Sequence, residues 1–263
     1  MKPFAVFSLA LVAALIPGAS RRASAADAKE LFEARVYENG EKKLNYRLMT
    51  PASYDKEQKY PLVLFMHGAG ERGSDNTAQL VHGMNDFAKD ENRTKFPCFV
   101  VAPQCPSGAF WARIRRGQDA AENAEPAPIS ETLQLVSDLL DALPKEFSID
   151  SRRVYVTGLS LGGYGTWDLI QRFPNRFAAA APVCGGGDDK QAEKLVKIPL
   201  WVFHGDKDRT VPPEQSRRMV AAIRKAGGKP LYTEFVGVGH DSWVPTYNNP
   251  MLMSWMFAQE LPQ

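Results

Sequence analysis

The 263-residue sequence predicts an α/β domain with a mostly parallel sheet, helices on both of its faces and an antiparallel hairpin at one edge. Three observations carry that expectation: continuous apolar runs of strand length, helical stripes between them, and an Asn-Gly turn near the start. Phe32 to Tyr37 and Leu44 to Met49 alternate in polarity and flank Glu38-Asn39-Gly40-Glu41, a hairpin signature. Tyr60 to Met66 is apolar throughout, as a strand buried on both faces must be. The same character returns at Cys98 to Ala102, Arg153 to Thr157, Ala178 to Val183, Leu200 to Phe203 and Leu231 to Val236. Helical stripes fall between these runs: Thr132, Leu133, Leu135, Val136, Leu139, Leu140 and Leu143 share one face, Pro213 to Ala226 forms a second, and Met251 to Leu261 a third.

Residues 1–25 read as a secretory leader, with Lys2, an apolar core from Phe4 to Ile16, the breaker Pro17-Gly18 and Ala23-Ser24-Ala25 for cleavage. That core is shorter than the ~18 residues a stable membrane span requires, so no membrane anchor is expected. The expected product is a secreted or periplasmic single domain, residues 26–263, large enough to bury a full core. The leader holds three of the 32 basic residues and none of the 30 acidic ones, leaving the remainder with one excess negative charge. Such a balance offers no electrostatic footprint for nucleic acid. Cys98, Cys105 and Cys184 form no C-x-x-C and no zinc pattern, and read as small apolar residues near strand ends. Cys98 and Cys105 are separated by an extended run of roughly 23 Å, too long for a bridge. No metal or cofactor is expected.

Chemistry concentrates at Gly158-Leu159-Ser160-Leu161-Gly162, which joins the strand run Arg153 to Thr157 to the helical segment after Gly163. A serine at a sharp strand-to-helix turn is forced to point its hydroxyl out of the sheet, and side chains at the flanking glycines would meet the neighbouring strand and helix. The helix start also brings free N–H groups to the place where an oxyanion forms. A serine nucleophile needs a base, and the base an orienting acid. Of the four histidines, only His240 follows Ser160 with room for an acid in between, in the chain order of strand-turn-helix serine hydrolases. In His204-Gly205-Asp206-Lys207-Asp208, Asp208 is preferred as the acid because it lies further out, while Asp206 suits a turn-closing bond. His67 reads as a structural hydrogen-bonder, His82 lies in a polar segment with nothing around it, and Glu71 and Arg72 are expected to hold their loop by local charge-assisted bonds. The Gly-rich loop His67-Gly68-Ala69-Gly70 would supply the second oxyanion donor: the N–H of Ala69, with Gly70 less favoured, beside that of Leu161. No Gly-Lys-Ser/Thr follows it, which excludes a phosphate loop.

His67-Gly68-Ala69-Gly70-Glu71-Arg72-Gly73, Ala102-Pro103-Gln104-Cys105-Pro106, Gly158 to Trp167 and His204-Gly205-Asp206-x-Asp208 occur in an order that resembles the α/β-hydrolase superfamily. The branch is that of secreted esterases related to feruloyl esterases and polyhydroxybutyrate depolymerases, whose members are often labelled peptidases or phospholipase/carboxylesterase-like. The resemblance spans Tyr60 to Trp243 and implies carboxylic ester hydrolysis by Ser160, Asp208 and His240. Leu161 stands where many relatives carry Met, a position that contributes only its backbone N–H. The short stretch from Gly185 to Ile198 leaves no room for a large cap domain, so the cleft is expected to be open to bulky or polymeric esters, polysaccharide-linked ones included. Trp111 and Trp243 either line that cleft or pack beneath loops. A serine peptidase of the same fold is the alternative, and a non-catalytic binding module the remote one.

Overall fold

The computed structural model describes residues 29–113 and 127–262. The expected leader, residues 1–25, and the middle of the long segment between Gln104 and Ser130 lie outside the described residues. Eight strands form one sheet: β1 (Glu33–Asn39), β2 (Lys42–Met49), β3 (Tyr60–Met66), β4 (Phe99–Pro103), β5 (Ile149–Leu159), β6 (Ala179–Val183), β7 (Trp201–Gly205) and β8 (Leu231–Phe235). Their spatial order is β1-β2-β4-β3-β5-β6-β7-β8. The hairpin β1/β2 and the β2/β4 contact are antiparallel, and every later pair is parallel. The expected α/β-hydrolase sheet is therefore present, with its antiparallel strands at one edge.

Alternation along the strands divides the interior into two cores. In β3, Leu62, Leu64 and Met66 face one side with Phe99 and Val101 of β4, while Val63 and Phe65 face the other with Val100 and Ala102. The first core is closed by α3 (Glu131–Glu146), α4 (Leu161–Arg172) and α5 (Glu214–Lys225). The second is closed by α1 (Met84–Ala88), α6 (Trp243–Tyr247) and α7 (Pro250–Phe257), while α2 (Asp90–Lys95) follows α1 at the surface. Helix α3 starts where Ser130 accepts a hydrogen bond from the Leu133 N–H at 3.0 Å, an N-cap that satisfies one of the orphan donors of the first turn. No helix among the described residues is long and apolar enough to cross a membrane.

Three features depart from the expectation. The closing helix ends at Phe257 rather than Leu261, whose N–H instead donates to Arg152 O at 2.9 Å. Strand β5 starts at Ile149 rather than Arg153, because its first residues, Asp150-Ser151-Arg152-Arg153, are polar and only partly covered. Helices α1, α2 and α6 are five or six residues long, too short for a helical period to register in the sequence.

Candidate active site

The parallel strands deliver the functional loops to one end of the sheet, outside their carboxyl ends. Strand β5 passes directly into α4 through Ser160, whose backbone has φ 52° and ψ −114°. A non-glycine residue in that region costs roughly 1–3 kcal/mol and persists only where its surroundings over-determine it. Here the surroundings are backbone. A Cβ on Gly162 would lie 1.9 Å from the Met66 carbonyl oxygen, and one on Gly158 would lie 2.5 Å from that of Gly162. The turn can therefore be this tight only with glycine at both places, as the sequence argument required. The Ser160 N–H donates to the Val183 carbonyl at 3.0 Å and reaches Cys184 Sγ at 3.3 Å.

Ser160 Oγ lies 2.8 Å from His240 Nε2, and His240 Nδ1 lies 2.7 Å from Asp208 Oδ2. The three residues come from the ends of β5, β7 and β8. The last two loops are zipped together: Lys207 N–H donates to Val238 O at 2.9 Å, Asp206 N–H to Phe235 O at 3.1 Å, and Gly237 N–H to Asp206 Oδ1 at 2.6 Å. Asp206 is corrected as a turn-closer: its side chain bridges to the neighbouring loop, while Asp208 both caps its own turn through Thr210 and Val211 and meets the histidine.

Asp208 is buried, and its carboxylate is fully engaged. Oδ1 accepts the N–H groups of Thr210 and Val211 at 2.9 Å each. Oδ2 faces both His240 and, at 3.2 Å, Nε2 of His204. His204 is 0% exposed; its Nε2 also lies 2.9 Å from Val211 O and its Nδ1 2.8 Å from Ser216 Oγ. Nε2 faces two acceptors and carries a proton, while Ser216 Oγ, the group that Nδ1 meets, donates to Gly185 O at 3.1 Å. Burial lowers the His204 pKa against the opposing pull of Val211 O and Asp208, and its Nε2–H steadies the Asp208 carboxylate. Sequence reasoning missed this role; the spacing of four residues between His204 and Asp208 was its only trace.

On the opposite side of Ser160, the loop after β3 begins a short 3₁₀ turn, Ala69–Glu71. A Cβ on Gly68 would lie 3.6 Å from Ser160 Cβ, so this backbone runs against Ser160. Ala69 and Leu161 each occupy the first position of their helical segments, where N–H groups have no partner within the helix. His67 holds the loop from below: its Nε2 accepts the Cys105 N–H at 2.9 Å and its Nδ1 donates to Gly68 O at 2.6 Å. Desolvation lowers its pKa to about 4, so it is a neutral structural hydrogen-bonder, as expected. Arg72 bonds Ala69 O at 3.0 Å and Ala109 O at 3.2 Å, and its guanidinium lies over the exposed Phe110 ring.

The two tryptophans part company. Trp111 is corrected as a cleft-lining residue: it is 0% exposed, and its indole N–H donates to His67 O at 3.0 Å. The loop after β4 is pinned inward by that bond, which an aromatic side chain with a buried polar tip requires. Trp243 does border the site, its ring 5.3 Å from that of His240 and perpendicular to it. His82 is not isolated either. Its ring lies 5.2 Å from Trp243, and its Nε2 is 3.6 Å from Glu71 Oε1.

All three cysteines are buried and unpaired. Cys184 Sγ, Asp208 and His240 present donor atoms within 4.8 Å of one another, the one such group among the described residues. Burial pushes the Cys184 thiol up to about 12, and the Asp208 and His240 atoms already hold each other. A zinc site needs a thiolate and free donors, so these residues do not fit one.

The phospholipase/carboxylesterase family model matches residues 52–249. The chain belongs to that family. This phospholipase/carboxylesterase family member is 40% identical to a thermostable esterase of known crystal structure, with a TM-score of 0.79 over 88% of this chain and 64% of that one. It is 36% identical over 83 residues to a bifunctional acetylxylan esterase/xylanase of Neocallimastix patriciarum, covering 31% of this chain and 12% of the relative. It is 32% identical over 130 residues to poly(3-hydroxyalkanoate) depolymerase C of Paucimonas lemoignei, covering 48% of this chain and 28% of the relative. The chain therefore spans less than a third of the length of either curated relative. The expected kinship with the esterase branch of the α/β-hydrolases is borne out.

Proposed function

We propose that this family member is an exported serine esterase that cleaves carboxylic esters through an acyl-enzyme on Ser160. The observation that carries the reading is the unbroken relay from Asp208 through His240 to Ser160, at 2.7 and 2.8 Å. Both distances lie within the reach that proton transfer requires. His240 Nε2 takes the Ser160 proton as Oγ attacks the ester carbonyl. Asp208 holds Nδ1–H and stabilises the imidazolium that forms. The N–H groups of Ala69 and Leu161 receive the oxyanion of the tetrahedral intermediate, each such donor contributing about 3 kcal/mol. His240 then passes its proton to the leaving alcohol, and water releases the acyl group by the same steps in reverse.

Exposure of Ala69 and Gly70, which follow the Gly68 backbone packed against Ser160, supports access by bulky or polymeric esters. Export rests on the leader features of residues 1–25, and N-terminal sequencing of the protein recovered from periplasm or medium checks it.

The test is a substrate series run with wild type and Ser160→Ala: short-chain nitrophenyl esters, methyl ferulate, acetylated xylan and aminoacyl-proline amides. The wild type turns over esters and the variant does not. Equal turnover by the variant overturns the nucleophile, and cleavage of the amides alone replaces the esterase with a peptidase.

A further inference from the structure

In a serine–histidine hydrolase the acid limb of the pH–rate profile reports the protonation of the base, because an imidazolium cannot take the serine proton. Whatever sets the hold of Asp208 on His240 therefore sets how far into acid the enzyme works. His240 Nδ1 meets Asp208 Oδ2 at 2.7 Å. That oxygen has a second neighbour, His204 Nε2, 3.2 Å away, and neither the His204 nor the Asp208 side chain is exposed to solvent. One carboxylate oxygen is thus flanked by two imidazoles.

The His204 ring is held on both edges. Its Nε2 lies 2.9 Å from Val211 O, and the Val211 N–H returns to Asp208 Oδ1 at 2.9 Å, so ring, turn and carboxylate close on one another. Its Nδ1 lies 2.8 Å from Ser216 Oγ on α5. The Nε2 proton is shared between Val211 O and Asp208 Oδ2. A donor held against a carboxylate stabilises its charge and makes it a weaker partner for any other donor. Here the other donor is His240. The direction does not depend on the charge of His204: a neutral N–H draws charge from Oδ2, and a protonated ring adds like-charge repulsion toward His240. Both weaken the hold of Asp208 on the His240 proton.

The other titratable and charged groups around this assembly have their own partners or stand outside it. Glu234 of β8, opposite His204 in the strand register, is bound by Arg217 at 2.6 Å and by Tyr232 at 2.5 Å. Asp206 holds the Gly237 N–H and lies 3.6 Å from Lys207. Lys207, Arg209 and Asp241 are exposed, and burial pushes the Cys184 thiol up to about 12. His82 and Glu71 stand beyond Trp243.

We propose that His204 is a positioning residue for the base: by sharing its Nε2 proton with Asp208 it fixes the carboxylate and extends activity toward acid. The proposal rests on the esterase reading above. It goes beyond that reading by giving a residue outside the Ser160 relay control of the pH range.

The experiment measures kcat/KM on phenyl acetate, followed by chromatography, from pH 5 to pH 9 for wild type, His204→Phe and His204→Gln. Phenylalanine keeps a ring and removes both nitrogens; glutamine keeps an N–H donor toward Asp208 and cannot titrate. In His204→Phe the acid limb moves up by about one pH unit, so kcat/KM at the acid end falls about tenfold more than on the plateau. His204→Gln recovers most of that shift. A plateau loss with an unmoved limb marks a merely structural role and overturns the proposal, as does an equal shift in both variants. A second measurement needs no folded variant: NMR of wild type labelled at the histidine nitrogens. His204 Nε2 carries a proton throughout this range, and its signal moves as His240 titrates; a bare Nε2 overturns the proposal. Titration with an organophosphonate that labels active serines separates the two claims. A wild type that labels at Ser160 while the limb stays unmoved in His204→Phe loses only the role of His204, and one that neither labels nor hydrolyses the ester overturns the esterase reading with it.

Discussion

Acid should destabilise this protein through His67, and the size of the effect follows from its surroundings. His67 is 1% exposed, lies under the Trp111 ring, and has both nitrogens committed to Gly68 O and the Cys105 N–H. Desolvation is the largest cause of its lowered pKa; the Gly68 hydrogen bond opposes it, Arg72 lowers it further and Asp75 raises it. The folded state therefore titrates near 4 while the unfolded chain titrates at the ordinary histidine value of 6.5. Between those values the unfolded state binds more protons, so stability falls as pH falls from 6.5 and levels off below 4. The full difference is worth about 3 kcal/mol, most of which is lost by pH 4.5. In a domain of this size that is a fall in Tm of roughly 5–10 °C. The perturbation is His67→Gln, whose amide oxygen can still take the Cys105 N–H. The assay is thermal and urea unfolding of both proteins from pH 8 to pH 4.5. Other titrating groups, His204 among them, act on both proteins and cancel in the difference. The variant is less stable at pH 8, but its stability falls by about 2 to 3 kcal/mol less over the acid range. Parallel curves for the two proteins refute the reasoning.

Asp208→Asn keeps the acceptor for the Thr210 and Val211 N–H groups yet disfavours the tautomer that His240 needs, and kcat on a nitrophenyl ester should fall by about 10⁴ with the fold intact by circular dichroism. Gly162→Ala would place a methyl 1.9 Å from the Met66 carbonyl oxygen, so soluble, folded protein should be absent on expression at any temperature. Tyr247→Phe removes a hydroxyl that lies 3.0 Å from Thr157 Oγ1 and ties α6 to β5 beneath the nucleophile, and it should lower stability by about 1 kcal/mol, read as a Tm drop of roughly 2–4 °C.

What the sequence disclosed, and what it did not, divides along a physical line. Strand β3 was legible to the residue because burial on both faces leaves an uninterrupted apolar run, Tyr60–Met66. The start of β5 was hidden because Asp150 to Arg153 extend it in polar residues, two of which, Asp150 and Arg153, pair with each other at 2.7 Å. Ser160, Asp208 and His240 were legible because a strained turn demands glycines at fixed offsets and because chain order limits the partners. Their support was not. His204 meets Asp208, and His82 meets Glu71 and Trp243, only once separate loops are folded together, and no local rule encodes those contacts. Trp111 shows the same limit from the other side. Beside an exposed Phe110 in a polar segment it could have lined the cleft, and contacts distant in sequence, the His67 carbonyl and the Ser130 hydroxyl, hold it inside.

The central claim is that Ser160 carries the acyl group, and covalent capture tests it most directly. A nitrophenyl ester is mixed with wild type and with Ser160→Ala, quenched in acid within milliseconds, digested and analysed by mass spectrometry. The account predicts a burst of about one nitrophenol per wild-type molecule and an acyl mass on the peptide containing Gly158 to Gly163, with neither in the variant. A burst from Ser160→Ala, or an acyl mass on any other residue, contradicts it.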